Sequence, residues 1–415
     1  MDGSIAAPAG RSIGLTRETG SGIVDYPVFL GRRYGGWAAL AFLVTALALP
    51  AQASPATGPT CFGEAVTIPG TPHDDVINGT DRADVISSFG GNDRVHGRGG
   101  NDLICGGGGR DLLVGGPGED MLNGFADNDT LVGDEMNFHQ PGKGDDTLIG
   151  GSGNELIVGD VYNPAGGDAI GDGVNDVQAG PGHDKVVGNA YTTDGKATGS
   201  GEETILMGKG RDVAVGDAVG SSRAVGQGDD FIRLDEEDDL GVGDAVVTSK
   251  GIASGGGRDE LTGFTADDVV VGGSYAPRGR ANGGGVDDVG GGVSGNDIVI
   301  GDNLASGAAS GGNRDVVNGV RNKDLVVDDS FLLQTRGSLS GDRKNDLLRG
   351  GPGDDRLIAV SGNVRCSGGP GFNTDLSRPR CKYSSRIDAR RPGRFPTKFV
   401  RDAVDQLPAL GARPR

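Results

Sequence analysis

An all-β solenoid, wound from short strands and closed by a disulfide at each end, is the fold class this sequence predicts. Three observations predict it. Glycine occurs 81 times in 415 residues, against a usual share of about 7%. Acidic residues recur every nine positions from Asp75 to Asp129, each followed two residues later by an apolar one. Four cysteines sit in two groups, Cys61 with Cys105 and Cys366 with Cys381, towards the two ends of the whole acidic, glycine-rich array.

The glycine content comes first because it excludes an ordinary globular domain. Aromatic residues make up only 5% of the chain, with a single tryptophan, Trp37, and a packed core of this length needs more large apolar side chains. Collagen, a flexible linker or a turn-dense repeat are the alternatives for so much glycine. Collagen requires glycine at every third position with abundant proline, and this chain has neither. A linker would lack apolar triplets such as Leu156-Ile157-Val158. A turn-dense repeat remains.

Charge is segregated along the chain. Residues 54–377 carry 24 basic and 52 acidic residues, whereas residues 378–415 carry 11 basic and 3 acidic. The acidic body repels nucleic-acid phosphates and attracts cations, so nucleic acid is not an expected partner. Ahead of the body, Arg32-Arg33 precede an apolar run from Trp37 to Leu49, followed by Pro50 and Ala51-Gln52-Ala53. A basic region, a short apolar core and a small-x-small site make a secretory signal cleaved after Ala53. The run is too short to span a bilayer, so no membrane span is expected once it is removed.

The repeat itself runs through Asp75, Asp84, Asp93, Asp102, Asp111, Asp120 and Asp129, with Ile77, Ile86, Val95, Ile104, Leu113, Leu122 and Leu131 two residues after each. Glycines precede the acids, as in Gly106 to Gly109 before Arg110-Asp111 and Gly115-Gly116-Pro117-Gly118 before Glu119-Asp120. Beyond residue 133 the acids come in pairs about nine apart: Asp146/Glu155, Asp176/Asp184, Glu203/Asp212, Asp230/Asp239, Asp259/Asp268, Asp288/Asp297, Asp315/Asp324 and Asp346/Asp355. A Gly-Asp or Gly-Asn step keeps the same longer beat at Asp134, Asp160, Asn189, Asp217, Asp244 and Asp302. Each longer unit therefore reads as two acidic loops and one variable excursion, a length that suits a two-sided or a three-sided coil. At 287/288 either aspartate fits the pattern, and loop 234–239 has no glycine.

In these residues the chain resembles the RTX, or haemolysin-type, nonapeptide G-G-x-G-x-D-x-U-x, a calcium-binding repeat. The resemblance covers roughly residues 70–365 and implies a right-handed parallel β-roll or β-helix. Gly supplies positive φ for the turn, and the x-U-x triplet forms a short strand with one side chain inward. Two nonapeptides complete a turn, so Asp93 stacks on Asp111 and Asp102 on Asp120. Ionised carboxylates at a rung spacing of ~4.8 Å repel by about 3 kcal/mol per pair at an effective dielectric of ~20. Calcium removes that repulsion, because it takes 6–8 oxygen ligands from carboxylates and carbonyls, whereas magnesium wants a tighter octahedron. The expected calcium ligands are Asp75, Asp84, Asp93, Asp102, Asp111, Asp120, Asp129, Asp146, Asp212, Asp230, Asp259, Asp268, Asp297, Asp315, Asp346 and Asp355. His73, His96, His139 and His183 have no zinc-ligand spacing.

An even cysteine count in an exported chain points to disulfides. Three pairings are open, and position favours Cys61–Cys105 and Cys366–Cys381. The expected organisation is an extension and signal over 1–53, a cap over 54–69, a regular roll over 70–134, a longer-unit solenoid over 135–365, a disulfide-closed cap over 366–382 and a disordered basic tail over 383–415. RTX toxins and proteases carry a separate active domain and an uncleaved C-terminal signal. This chain looks more like the repeat-only RTX proteins exported by the general pathway. The expected function is thus calcium-dependent folding of a secreted, extracellular scaffold, not an enzyme, for surface display, adhesion or binding of cell-surface or matrix polysaccharide. The alternative is a polysaccharide lyase or epimerase built on a β-helix, which needs a non-repeating groove with clustered basic and acidic residues. Oligomeric state is not readable from these residues.

Overall fold

The computed structural model describes residues 58–136, 142–333, 338–340, 346–360, 364–371, 373–375, 383–385 and 387–388. The expected signal over 1–53, Cys381 and most of the basic tail lie outside the described residues. All regular structure among the described residues is β. Most strands have three residues, because Gly-rich turns and an inward-turning Asp bound each apolar triplet.

Two parallel sheets of fourteen strands each run along the coil. The first opens with Ile68–Pro69, Val85–Gly90 and Leu103–Gly108; the second opens with Val76–Asn78, Arg94–His96 and Leu112–Val114. The chain alternates between them, so Val85 pairs with Leu103 and Leu112 with Thr130, each eighteen residues on. The middle residue of each triplet points inward, and Ile77, Ile86, Val95, Ile104, Leu113, Leu122 and Leu131 form one continuous core. Two nonapeptides per turn is therefore the geometry of the regular stretch. Leu122 is fully buried at its centre, and Leu122→Ala is expected to cost about 3 kcal/mol, as for other buried leucines. Denaturant unfolding in saturating calcium measures this, and a loss near zero would show that adjacent rungs collapse into the space.

From Glu135 onward the coil changes. Each turn now contains four strands, so the long units are neither two-sided nor three-sided. One turn runs through Thr147–Ser152, Leu156–Val158, Val161–Asn163 and Ala169–Gly171 before the next begins at Asp176–Gln178. The excursion expected as a variable loop is a pair of further sheets, of eight and seven strands. Rung-to-rung register lengthens accordingly, from Thr130↔Leu156 to Val316↔Leu347.

Burial explains why these residues fold that way. In the second sheet the triplets become apolar throughout, as in Val269–Val271 and Ile298–Ile300, and both faces are buried. A sheet covered on both sides reads as a continuous apolar run rather than an alternation. Its middle residues stay in the first core, while Val158, Val187, Val215 and Val242 face a second core with Tyr162, Tyr191, Val219 and Val246 of the third sheet. The rings of Tyr162 and Tyr191 stack with centroids 5.1 Å apart. Alanines join the third and fourth sheets: Ala190, Ala218 and Ala245 pack against Ala169, Ala197 and Ala224.

The glycine-free loop is accommodated by two local changes. Glu237 adopts φ 83°, and buried Leu234 fills the space that Gly241 leaves in the second sheet.

At the far end the short register returns, with Leu347↔Arg365 and Arg365↔Tyr383. Strands Arg365–Ser367 and Tyr383–Ser385 extend the first sheet, and Asn373–Asp375 and Ile387–Asp388 extend the second. The solenoid thus does not stop at residue 365, and the stretch expected to be a cap and the start of a tail adds rungs instead. The physical reason is the eighteen-residue spacing itself, which lets the backbone continue both ladders. At the near end Cys61 and Cys105 are bonded, tying the hairpin Thr60–Cys61/Glu64–Ala65 to strand Leu103–Gly108. Cys366 is also disulfide-bonded, while its expected partner Cys381 is among the residues not described.

Candidate metal centre

Each nonapeptide Asp stands one residue before a strand, where the chain leaves the turn, and its side chain folds inward. There its Oδ1 accepts the backbone N–H of the equivalent residue one rung earlier. One ladder of such bonds joins Asp75, Asp93, Asp111 and Asp129 at 2.8–2.9 Å. It resumes at Glu155 and runs through Asp184, Asp212, Asp239, Asp268, Asp297, Asp324 and Asp355. The other joins Asp84, Asp102, Asp120 and Asp146, passes to Asn175, and runs from Glu203 through Asp230, Asp259, Asp287 and Asp315 to Asp346. These two ladders contain every expected calcium ligand.

The second oxygen of these carboxylates is the chemically informative one. Oδ2 of Asp93, Asp102, Asp111, Asp120, Asp129, Asp146, Asp212, Asp230, Asp259 and Asp297 is buried and receives no hydrogen bond. An acceptor left unsatisfied in the interior costs about 1–3 kcal/mol, and more if charged. These oxygens lie over turn glycines, together with carbonyls of the next rung. A Cβ on Gly97 would meet both Asp102 Oδ2 and the Gly115 carbonyl; on Gly115, both Asp120 Oδ2 and the Gly133 carbonyl. The same holds at Gly124 with Asp129 and Gly150, and at Gly243 with Asp259 and Gly272. Carboxylate and carbonyl oxygens converge with no donor between them. That donor set suits a hard cation with many oxygen ligands, and calcium above all. The ion pairs Lys143–Asp172, Lys209–Glu236 and Arg233–Asp235 are all at the surface.

Burial raises the carboxyls' proton affinity wherever the columns close over them. Asp120 and Asp129 are pushed up to about 8 by burial, against the stabilising N–H bonds from Asp102 and Asp111. Asp268 and Asp297 reach about 8 for the same first reason. Asp102 and Asp111, nearer the open end, rise to about 6. Without a cation, the fold favours the neutral acid at Asp120, Asp129, Asp268 and Asp297 at neutral pH.

Placement differs from expectation at several positions. Asp75 and Asp84, at the start of the ladders, are half-buried, and their Oδ2 atoms accept N–H and O–H donations from Thr71 and Thr80. Asp268 Oδ2 accepts the Phe264 N–H at 3.2 Å. Asn175, not Asp176, holds the ladder position, and at 287/288 it is Asp287. Asp176 and Asp288 are exposed first residues of strands whose inward residues are Val177 and Val289. Two-residue alternation decides the choice.

A third column of acids, outside the expected ligand set, runs beside the ladders. Asp134, Asp160, Asn189, Asp217, Asp244, Gly273, Asp302 and Asp329 follow one another between the second and third sheets, each N–H donating to the next carbonyl in the series. All but the glycine are among the buried polar residues. Their signal in the sequence was the Gly-Asp step, which marked register but did not reveal a partner. The fold brings three carboxylates together, with one oxygen of each within 4.8 Å of the others, at Asp134/Asp146/Asp160, Glu203/Asp217/Asp230 and Asp302/Asp315/Asp329.

Comparison with known families agrees with this geometry. The family model described as RTX calcium-binding nonapeptide repeat (4 copies) matches residues 69–104, 106–135, 142–161, 252–274 and 337–364. No curated protein and no solved structure matches the chain.

Proposed function

The chain is a repeat protein of the RTX calcium-binding nonapeptide kind, and on that premise we propose that it is a secreted scaffold which calcium folds and stiffens outside the cell. The observation that carries the reading is the repetition of buried, donor-free carboxylate oxygens along both loop ladders. A few such sites would be a local feature. A whole column makes the fold itself conditional on the ion.

The magnitudes support this. At free calcium tenfold above a site's Kd, each bound ion stabilises the folded form by about 1.4 kcal/mol. About ten equivalent sites then contribute roughly 14 kcal/mol, as much as the whole stability of an ordinary domain. Extracellular calcium modules work at dissociation constants of about 10⁻⁴–10⁻³ M, so calcium-poor cytoplasm would leave the acidic chain expanded and the exterior would fold it. The apolar run Trp37–Leu49 with Ala51-Gln52-Ala53 supports export by an N-terminal signal. Among the described residues no helix is long and apolar enough to cross a membrane. A scaffold is favoured over a lyase or epimerase because the buried carboxylates recur rung after rung, with none singled out as a reacting pair.

Far-UV circular dichroism of the purified chain during a calcium titration tests the proposal, with magnesium as the control ion. A cooperative gain of β signal with calcium alone is the expected result. A spectrum already folded in calcium-free buffer at neutral pH, and unchanged on titration, would overturn it.

A further inference from the structure

The third column lies outside the nonapeptide loops. It stands where the two additional sheets branch from the roll, and the nonapeptide pattern has no place for it. We propose that the enclosed cluster of Glu203, Asp217 and Asp230 is a divalent-cation site of a second kind, an interior site that locks the branch of the long rungs. This rests on the calcium-binding reading above and extends it to Asp217, which the nonapeptide pattern does not include, beside the ladder residues Glu203 and Asp230.

Geometry carries the argument. Glu203, Asp217 and Asp230 are 1%, 0% and 2% exposed, and one oxygen of each lies within 4.8 Å of the others. Every carboxylate has one oxygen supplied by a donor and one without. Glu203 Oε1 accepts Asn189 Nδ2 at 2.8 Å, while Oε2 has no donor. Asp217 Oδ2 accepts the Gly228 N–H at 3.1 Å, while Oδ1 has none. Asp230 Oδ1 accepts the Glu203 N–H at 3.0 Å, while Oδ2 has none. Gly228 lines the cluster, since a Cβ there would meet Asp217 Oδ1 and Asp230 Oδ1. Each of the three carboxylates keeps one donor-free oxygen shut away from water, and a hard divalent cation is the ligand that suits such a set.

The neighbouring rungs meet part of the same demand with an amide donor, to one oxygen of Asp160 and one of Glu203. There an amide takes the place of a carboxylate. Asn175 Nδ2 donates to Asp160 Oδ1 at 2.8 Å and to the Gly188 carbonyl at 3.0 Å. Asn189 Nδ2 donates to Glu203 and to the Gly173 carbonyl at 3.1 Å. No amide stands at the Asp217/Asp230 rung. The constellation recurs at Asp302, fully buried with neither carboxylate oxygen receiving a donor, beside Asp315 and Asp329. An ion at Glu203/Asp217/Asp230 would join the loops that enter the first sheet, through Glu203 and Asp230, to the turn between the second and third, through Asp217. It would pin the lobe to the roll at its point of departure.

Enclosure separates these sites from the loop sites in a measurable way, because release must wait for local opening. The experiment uses the full chain and calcium alone. Bound calcium is counted by equilibrium dialysis, and its release into excess chelator is followed by stopped flow, for the wild type, Asp217→Asn and the loop-ladder variant Asp102→Asn. Wild-type release is expected in two classes, the slower by roughly tenfold or more. Asp217→Asn should bind one ion fewer, lost from the slow class, and Asp102→Asn should lose from the fast class. Unchanged stoichiometry and release in Asp217→Asn would overturn the inference. Should that variant fail to fold, wild-type release decides, and a single fast class overturns it equally. A wild type that binds no calcium would instead overturn the calcium reading as a whole.

Discussion

In calcium-free buffer at pH 8 the chain is expected to be largely unfolded, and acidification to pH 5.5 is expected to restore much of its β signal without any metal. Most acidic proteins lose structure on acidification, so the direction is diagnostic. Carboxyls of the ladders have folded-state values above the ordinary 3.8: about 6 for Asp102 and Asp111, about 8 for Asp120, Asp129, Asp268 and Asp297, each raised first by burial. A group raised in the folded state binds its proton more tightly there than in the unfolded chain. Its contribution is full below about pH 4, declines as pH rises through 6 to 8, and is gone above. With calcium the dependence reverses, because the bound carboxylates must be ionised and protons compete with the ion. The calcium needed for half-folding should therefore rise as pH falls. Working at pH 5.5 keeps the chain clear of its isoelectric point near 4.6, where low net charge promotes precipitation. Circular dichroism across pH 5.5 to 8, with and without calcium, reads both limbs. A metal-free chain that loses β signal on acidification would show that the columns are not held as neutral acids.

The second large effect concerns two glycines eight residues apart. Gly116→Ala is expected to raise the calcium midpoint strongly or abolish folding of the regular roll, whereas Gly108→Ala should leave both unchanged. Gly116 has φ +105°, and a Cβ there would overlap the carbonyl of Arg98 in the adjacent rung. A left-handed backbone costs an alanine about 1–2 kcal/mol before any collision, and the collision would force two rungs apart where their oxygens must converge. Gly108, in the same Gly-rich turn type, has nothing within 4 Å of the position a Cβ would take. Calcium titrations of the two variants side by side separate steric demand from mere glycine content. Equal behaviour would mean that the turns adapt, and that rung spacing is not what limits ion binding.

Much of the loop-ladder site was legible because its determinants are local. Asp93 and Val95 lie two residues apart, so one strand geometry turns the carboxylate into the turn and the valine into the core. The excursions were not legible for the opposite reason. Their inward residues are mostly alanines, Ala169, Ala197, Ala224, Ala253, Ala281 and Ala309, whose small side chains leave almost no hydropathic pattern. The apolar triplets of the second sheet gave the only hint, since Val269–Val271 has no polar face to offer solvent.

The third column shows the same division at a single residue. Gly216-Asp217 marks the beat of the repeat, yet nothing nearby says that Asp217 will meet Glu203 and Asp230, fourteen residues before and thirteen after. The amino-acid sequence by itself determined the period, the inward apolar residue of each triplet and the acid that precedes it, because these follow from backbone alternation over a few residues. Only the tertiary structure decided that the long units have four strands per turn, that Asn175 and Asp287 hold the ladder, and that the Gly-Asp step becomes part of a buried carboxylate cluster. Those outcomes depend on where each excursion returns to the roll, and that is set by packing between chain segments a whole rung apart.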